Sequence, residues 1–411
     1  LVYSCNTQYA GNTVGFKKLA LRLAIQKGSN EGWLAEHMFV MGVKGPQGRK
    51  SYFAGAYPSM CGKTSTAMVE GETIIGDDIA YIRCIDGKCR AANVEQGIFG
   101  IIQDINPDND PLIWELLNTP GNVIVSNVLN SGGTAYWLGD NREVPEEGEN
   151  FIGKWKKGMK DKNGKEIPHA HKNARYTIGL NKLANCDEKL HDPQGVELKG
   201  IVYGGRDSDT SVPVRESFGW DHGVVTMGAS IESETTAATL GSEGERTFNI
   251  MANQEFVSIP LAKYLEDYIA FGKKLKDKPA VFATNYFLRG KDGKWLNGVK
   301  DKRVWLKWME LRTNGDVEAI ETPVGNIPVY EDLKRLFKEF MNIDYTAEMY
   351  DEQFTLRIPE NIAKTDRIID IYRNKIKNTP EILFEILNKQ KEKLEKLKAD
   401  KGDYVKPSQI R

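Results

Sequence analysis

The stretch YPSMCGKTSTAM, Tyr57 to Met68, follows an apolar run, SYFAGAY, and opens onto helix-forming residues. Strand, glycine-containing loop and helix, in that order, bring backbone N–H groups and a positive helix end to bear on phosphate. Gly62-Lys63-Thr64 closes such a loop. Lys63 would place a point charge on the transferable phosphate, and Thr64 would offer its hydroxyl to a divalent metal. The commoner loop has a glycine five positions before Gly62; this chain has Tyr57 there, then Pro58, and a thiol, Cys61, directly before Gly62.

Just downstream, ETIIGDDI ends an apolar strand in Asp77 and Asp78. A carboxylate at that place is the usual metal partner in phosphoryl transfer, and two in succession let one touch the metal and the other act through water. Loop and acids together point to a nucleotide-dependent phosphoryl-transfer site. Working outward, residues 13–28 have apolar residues at helical spacing, ending at Gly28, and EHMFVMGV is a buried strand. Cys84 and Cys89 flank the hairpin signal Asp86-Gly87 and read as two hairpin cysteines, since no second pair completes a zinc site. GIFGII and AVFATNYF read as core strands, and GIVYGGRDSD and GVVTMGASI as further buried strands. Residues 104–195, richer in Asn, Gly, Asp, Pro and Lys, read as irregular α+β with long loops. From Tyr330 the chain reads as mostly helical, closing in an amphipathic helix with Pro380 in its first turn and Gly402 at its end.

The 411 residues carry a net charge of -1, which gives no support for a nucleic-acid or membrane-surface partner. No apolar run approaches a membrane span. Five cysteines, an odd number, argue against a disulfide framework and for a reducing compartment, expected to be the cytoplasm. The chain opens LVYSCNTQYAGN, without methionine, and reads as the interior of a longer one.

The loop AYPSMCGKTSTAM followed by GDDIAYI resembles the GTP-dependent phosphoenolpyruvate carboxykinase family. QYAGNTVGFKK, EGWLAEHM, NVEQGIFG, NARYT, GIVYGGR, HGVVTMGASIESETTAAT and NYFLRGKDGKW resemble that family's segments in the same order, most firmly from Tyr9 to about Arg303. The resemblance implies a two-lobed α/β fold of α+β mixed-sheet type with a variant phosphate loop. Residues 33–92 and 196–411 would form the nucleotide lobe. Residues 1–32, as a remnant, and 93–195 would belong to a substrate lobe whose N-terminal part is missing. It implies conversion of oxaloacetate and GTP to phosphoenolpyruvate, GDP and CO2, with catalytic Mn2+, a second Mg2+ or Mn2+ held with GTP, and a monomeric enzyme. An arginine of the missing part would grip the substrate, so residues 1–411 alone are expected to turn over weakly or not at all.

Carried over residue by residue, the metal ligands would be Lys18, His37 and Asp78, with Asp77 and Thr64 serving the metal shells. Lysine ligates only as the neutral amine, a form the metal and neighbouring Lys17 would favour. Lys17, Lys63, Arg175 and Arg206 would act on the reacting groups, the arginines by gripping carboxylate or phosphate in two places. Tyr9, Gly11, Ser59, Asn173 and Arg175 would line the substrate pocket. Met60, Cys61, Gly62, Lys63, Thr64, Ser65 and Arg206 would hold the nucleotide's phosphates, and Phe287 and Trp295 its base. Cys61, at a helix N-terminus beside Lys63, is expected to have a lowered pKa and to shape the loop rather than act as nucleophile. Ser233, Glu234, Thr235, Thr236, Gly241 and Gly244 would belong to a lid. The chain departs from the family's pattern at Glu232, where many members have arginine, and at Leu240, where many have glutamate. It departs again at Val299, near a position that is aromatic in the family, and near Asp301 and Lys302, where no asparagine matches the one that reads guanine. ATP, inosine triphosphate or pyrophosphate is therefore the alternative donor, and a non-catalytic nucleotide-binding chain the alternative of another class.

Overall fold

The computed structural model describes residues 9–108, 110–121, 123–235 and 244–410, with side chains from residue 15. Helix α1 (Tyr9–Glu31) leads into strands β1 (Leu34–Glu36), β2 (Phe39–Lys44) and β3 (Lys50–Ala56), the short helix α2 (Lys63–Ala67), and β4 (Thr73–Gly76). A hairpin follows, β5 (Ala80–Ile85) and β6 (Lys88–Asn93), then β7 (Gly97–Ile101), α3 (Pro111–Leu117) and β8 (Val123–Ser126). Strands β9 (Leu129–Ser131), β10 (Thr134–Tyr136), β11 (Glu147–Asn150) and β12 (Gly153–Lys156) make a small separate sheet before β13 (Arg175–Gly179). The long strand β14 (Val196–Gly205) and β15 (Val214–Glu216) precede α4 (Trp220–Gly223), β16 (Glu232–Glu234), β17 (Arg246–Phe248), α5 (Leu261–Lys274) and β18 (Ala280–Asn285). The chain ends with α6 (Lys302–Thr313), a hairpin of β19 (Ala319–Thr322) and β20 (Gly325–Pro328), and helices α7 (Tyr330–Met341), α8 (Ala347–Phe354), α9 (Ile358–Asn374) and α10 (Glu381–Lys401).

An eleven-stranded mixed sheet organises these elements. Its centre is β14, which pairs in parallel with β3 on one side and β18 on the other. Alternation along the strands splits the apolar residues between two cores. Phe39, Met41 and Phe53 face one, and Met38, Val40 and Ala54 the other. The loops leaving the carboxyl ends of β3, β14 and β18 carry the phosphate loop, Arg206 and Tyr286-Phe287. Ligands of open α/β sheets bind at that edge. A second, three-stranded sheet, β7-β13-β8, carries Arg175 at the start of β13.

The structure corrects one expected strand. GVVTMGASI is helical: α4 runs into a π-type turn over Val224–Gly228, with Ser230 Oγ donating to the Val225 carbonyl at 2.7 Å. An apolar run buried on every side has no periodicity to separate strand from helix. Helix α2 ends at Ala67, sooner than the sequence suggests, and α1 reaches beyond Gly28 to Glu31.

Glu36 is fully buried beside the expected ligand His37. Burial pushes its carboxyl up to about 8, while hydrogen bonds from Tyr264 Oη and Asn253 Nδ2 oppose the rise. An acid raised in the folded state takes up a proton on folding, so its contribution is lost as pH climbs from its ordinary 4.5 toward 8. Glu36→Gln keeps the accepting oxygen and removes the titration. Thermal denaturation between about pH 5 and 9 should show the variant gaining on the parent as pH rises, by about 4 kcal/mol at the alkaline end. Parallel curves would contradict this.

Candidate active site

The phosphate loop owes its shape to the residue that replaces the leading glycine. The Tyr57 ring is buried under the loop, and its hydroxyl is 2.8 Å from Thr284 Oγ1 and 3.0 Å from Tyr286 Oη. Tyr286 Oη in turn reaches Thr66 Oγ1 at 3.0 Å, and Thr66 donates to the Gly62 carbonyl at 2.7 Å. A chain of hydroxyls thus ties the end of β18 to both ends of the loop. The turn itself is made at Met60 (φ 62°) and Gly62 (φ 98°), both in the left-handed region. Positive φ has moved to the second half of the loop, where Gly62 meets it without steric cost.

Beside the loop, four elements converge on one carboxylate. Asp78, just past β4, has Oδ1 at 2.5 Å from Lys63 Nζ and 2.7 Å from His37 Nε2, and Oδ2 at 2.5 Å from Lys17 Nζ. Lys17 also pairs with Glu95, between β6 and β7, at 2.8 Å. Burial alone would raise Asp78, but Lys63, His37 and Lys17 hold it well below the usual carboxylate range. For Lys17, burial lowers the ammonium, and the two carboxylates more than reverse that, so it stays charged. Asp77 differs: it is buried, burial raises it, and its Oδ1 has no hydrogen-bond partner. Thr64 Oγ1 lies 3.5 Å from the other oxygen. An imidazole nitrogen and a carboxylate oxygen 2.7 Å apart, with an orphaned carboxylate oxygen beside them, suit a divalent cation of the manganese or magnesium class. Among the described residues, no set of three or more His, Cys, Asp or Glu is arranged to hold a metal, and Lys17 and Lys18 border the same cavity. Lys18, expected as a metal ligand, pairs here with Glu255 at 2.8 Å, and Lys17 takes the Asp78 contact.

These groups line a cavity of about 610 Å³. Lys17, Lys18, His37, Asp77 and Asp78 border it, as do Ser59, Met60, Gly62, Lys63, Thr64 and Ser65 of the loop and, opposite, Phe99 and Arg175. Asn173 stays behind Arg175, accepting its Nε–H at 2.9 Å and so aiming the guanidinium. Burial lowers the pKa of Arg175. The residues expected to hold the base lie outside that lining: Phe287 and Trp295 meet edge to face at 5.8 Å, and Trp295 is 46% exposed. Arg206 stacks over Phe287 at 3.8 Å and donates to the Met60 carbonyl at 3.2 Å, linking Phe287 to the loop. Val299 is 73% exposed, outside that aromatic pair. Asp301 is turned inward to accept the Gly298 N–H at 2.8 Å.

The expected lowering of the Cys61 pKa is overturned. The thiol is 1% exposed, and desolvation outweighs Ser233 and Arg206, so its pKa is raised. Its Sγ is 3.1 Å from Ser233 Oγ, which also accepts the Arg206 backbone N–H at 3.2 Å. Thus β16 seats itself on the loop. Of the other expected lid residues, Glu234 accepts from Ser208 Oγ at 2.6 Å, Thr235 Oγ1 accepts the Glu245 N–H at 3.1 Å, and Gly244 has φ 80°. Thr236, Leu240 and Gly241 lie outside the described residues, as does the side chain of Tyr9, and Gly11 falls within α1.

Several residues here escaped the sequence reading: Glu95, Glu255, Tyr286 and Arg367, the partner of Glu232. Arg367 on α9 grips Glu232 through Nε at 2.9 Å and Nη2 at 2.7 Å. The unusual glutamate is therefore an ion-pair partner from a distant helix. Arg367→Gln should loosen β16 and let Cys61 be alkylated several-fold faster at a stability cost of about 1 kcal/mol or less. Unchanged alkylation would show that β16 is held without the pair.

Similarity to known proteins bears on this site. Residues 33–393 match the family model described as Phosphoenolpyruvate carboxykinase C-terminal P-loop domain. A Pyrococcus abyssi protein named phosphoenolpyruvate carboxykinase (GTP) is 58% identical over 407 residues, covering 99% of this chain and 66% of its own length. Proteins of the same name from Sulfurisphaera tokodaii and Chlamydia muridarum are 47% and 38% identical, covering 100% and 81% of this chain and 66% and 56% of their own. The chain thus spans just under two thirds of the length of the more similar two.

Proposed function

The chain belongs to the phosphoenolpyruvate carboxykinase family, and from that premise we propose that it carries the nucleotide and metal sites of an enzyme converting oxaloacetate and GTP to phosphoenolpyruvate, GDP and CO2. The observation that carries the reading is the meeting of Lys63, His37 and Lys17 on Asp78, at the lip of a cavity shared by the phosphate loop and Arg175.

A divalent cation, with manganese the best fit to a lysine–histidine–carboxylate set, would be held by His37, Asp78 and a lysine of the Lys17-Lys18 pair; when bound it supplies Lewis-acid stabilisation of the charge left by decarboxylation. A second, Mg2+ or Mn2+, would enter with GTP at Thr64 and Asp77. Arg175, aimed by Asn173, faces the cavity as a fork for the oxaloacetate carboxylate, with Ser59, Tyr9 and Gly11 expected around the same substrate. Loss of CO2 leaves the enolate of pyruvate, whose oxygen attacks the γ-phosphorus while the bond to GDP breaks. Lys63 and the N–H groups from Met60 to Ser65 hold the phosphate oxygens, and Lys17 and Arg206 add positive charge across the transfer. Phe287 and Trp295 offer the base its aromatic faces. Cys61, buried and protonated, fills space beneath the loop. Residues 33–92 and 196–411 form the nucleotide lobe in this reading, which the parallel trio β3-β14-β18 supports.

The test is phosphoenolpyruvate formation from oxaloacetate by this chain extended to the length of its relatives, with Mn2+ present and GTP, ATP, inosine triphosphate and pyrophosphate assayed in parallel. Product with GTP is expected. Product only with another donor would overturn the base assignment, and a folded, Mn2+-binding protein that makes no product would overturn the enzyme.

A further inference from the structure

Cys84 and Cys89 lie far along the β5–β6 hairpin from the cavity, in direct register with each other. The hairpin turns through two residues, Asp86 (φ 55°) and Gly87 (φ 82°). Such a turn makes Ile85 and Lys88 the hydrogen-bonded closing pair, so the cysteines behind them are a non-hydrogen-bonded pair. Partners in that position have Cα atoms about 4.5 Å apart and side chains on one face. The spacing falls within the about 4.4–6.8 Å that a disulfide spans. Alternation puts both thiols on the face that carries Ile82 and Ala91. Cys89 is buried there, while Cys84 is half-buried at the edge and donates to the Lys274 carbonyl at 3.4 Å. The tip is already fixed: the Lys276 N–H donates to the Gly87 carbonyl at 2.8 Å, and Lys88 pairs with Glu197 at 2.7 Å.

We propose that Cys84 and Cys89 form an oxidisable pair that closes into a cross-strand disulfide. The oxidant is a low-molecular-weight disulfide. Cys84, which has solvent access, attacks one of its sulfurs as thiolate and displaces one small thiol. Cys89 gives its proton to solvent and attacks the Cys84 sulfur, displacing the second. Two protein S–H groups become one S–S bond, and the reagent's S–S bond becomes two S–H groups. Burial raises the Cys89 thiol and makes the second step the slower one. The bridge matters because β5 starts just after Asp78 and β6 ends just before Glu95, the two carboxylates that share Lys17. Closing it staples the strands that set their separation.

The experiment equilibrates the folded chain with oxidised glutathione, blocks remaining thiols with an alkylating agent, and maps tryptic peptides. Cleavage after Arg83, Lys88 and Arg90 releases Cys84–Lys88 and Cys89-Arg90 as separate pieces unless a disulfide joins them. The expected result is the joined pair, lighter by two hydrogens than its separate thiols, restored by dithiothreitol and absent from Cys84→Ser and Cys89→Ser. Glutathione persisting on Cys84 at equilibrium while Cys89 remains alkylatable would overturn the proposal. So would two free thiols, or a bridge that appears only in denaturant.

Discussion

Replacing Asp78 by asparagine is expected to cut Mn2+ affinity about 100-fold and, in the chain extended to the length of its relatives, the proposed phosphoenolpyruvate-forming turnover about 1,000-fold or more. The side chain changes by one atom, so the loss traces to charge. Asp78 is where Lys63, His37 and Lys17 meet, and removing its charge leaves two ammonium groups facing each other across a neutral amide. Lys63 and Lys17 would then swing away or repel the incoming ion, and His37 would lose its partner. Mn2+ binding followed by calorimetry, beside a thermal melt, separates the site from the fold: the melt should fall as well, because the charge that Lys63, His37 and Lys17 hold low is gone, but a variant still folded at the temperature of the titration should bind Mn2+ more weakly. Asp77→Asn is the informative companion. Its Oδ1 is already unpartnered and burial already favours its neutral form, so without metal it should leave stability nearly unchanged. Equal Mn2+ affinity in Asp78→Asn and the parent would remove Asp78 from the metal site.

The contrast between these two neighbours also marks what the sequence could and could not disclose. Strand, loop and acids were readable because each depends on local order: SYFAGAY gives β3, Gly62-Lys63-Thr64 the junction of loop and helix, IIGDD the end of β4. Their convergence was reached only through resemblance to a family, since Lys17 and His37 lie on different elements 20 residues apart in sequence and have no local signature. Which of Lys17 and Lys18 meets Asp78 depends on the rotation of α1, set by Leu21, Ala24 and Ile25 packing in the core rather than by the lysines. Glu95, Glu255 and Arg367 were invisible for the same reason: each is an ordinary surface residue in sequence and acquires a role from a partner at least 78 positions away. Cys61 shows the opposite failure. Its neighbours in sequence argued for a reactive thiol, and burial under Ser233, from a distant strand, decided otherwise.

Gly204→Val should be the most damaging single substitution in the sheet that supports the loop. Gly204 pairs with Thr284 on β18 in the central strand, and a Cβ there would stand 2.0 Å from the Tyr57 ring. Neither side can yield easily. The strand is held by parallel neighbours on both sides, and the ring is held by its hydroxyl contacts to Thr284 and Tyr286. Overpacking of this kind costs about 3 kcal/mol or more where the neighbour is a fixed ring. The variant should unfold at markedly lower denaturant and, where still folded, bind nucleotide more weakly, because displacing Tyr57 breaks the hydroxyl chain to Thr66 and Gly62. The conclusive comparison is the double variant. Tyr57→Ala leaves a void that the introduced valine side chain could enter, so the combined loss of stability should be smaller than the sum of the two single losses. Nucleotide affinity should not recover with it, because the hydroxyl is gone. Strict additivity in stability would mean that Gly204 is required by something other than the ring that took the place of the leading glycine.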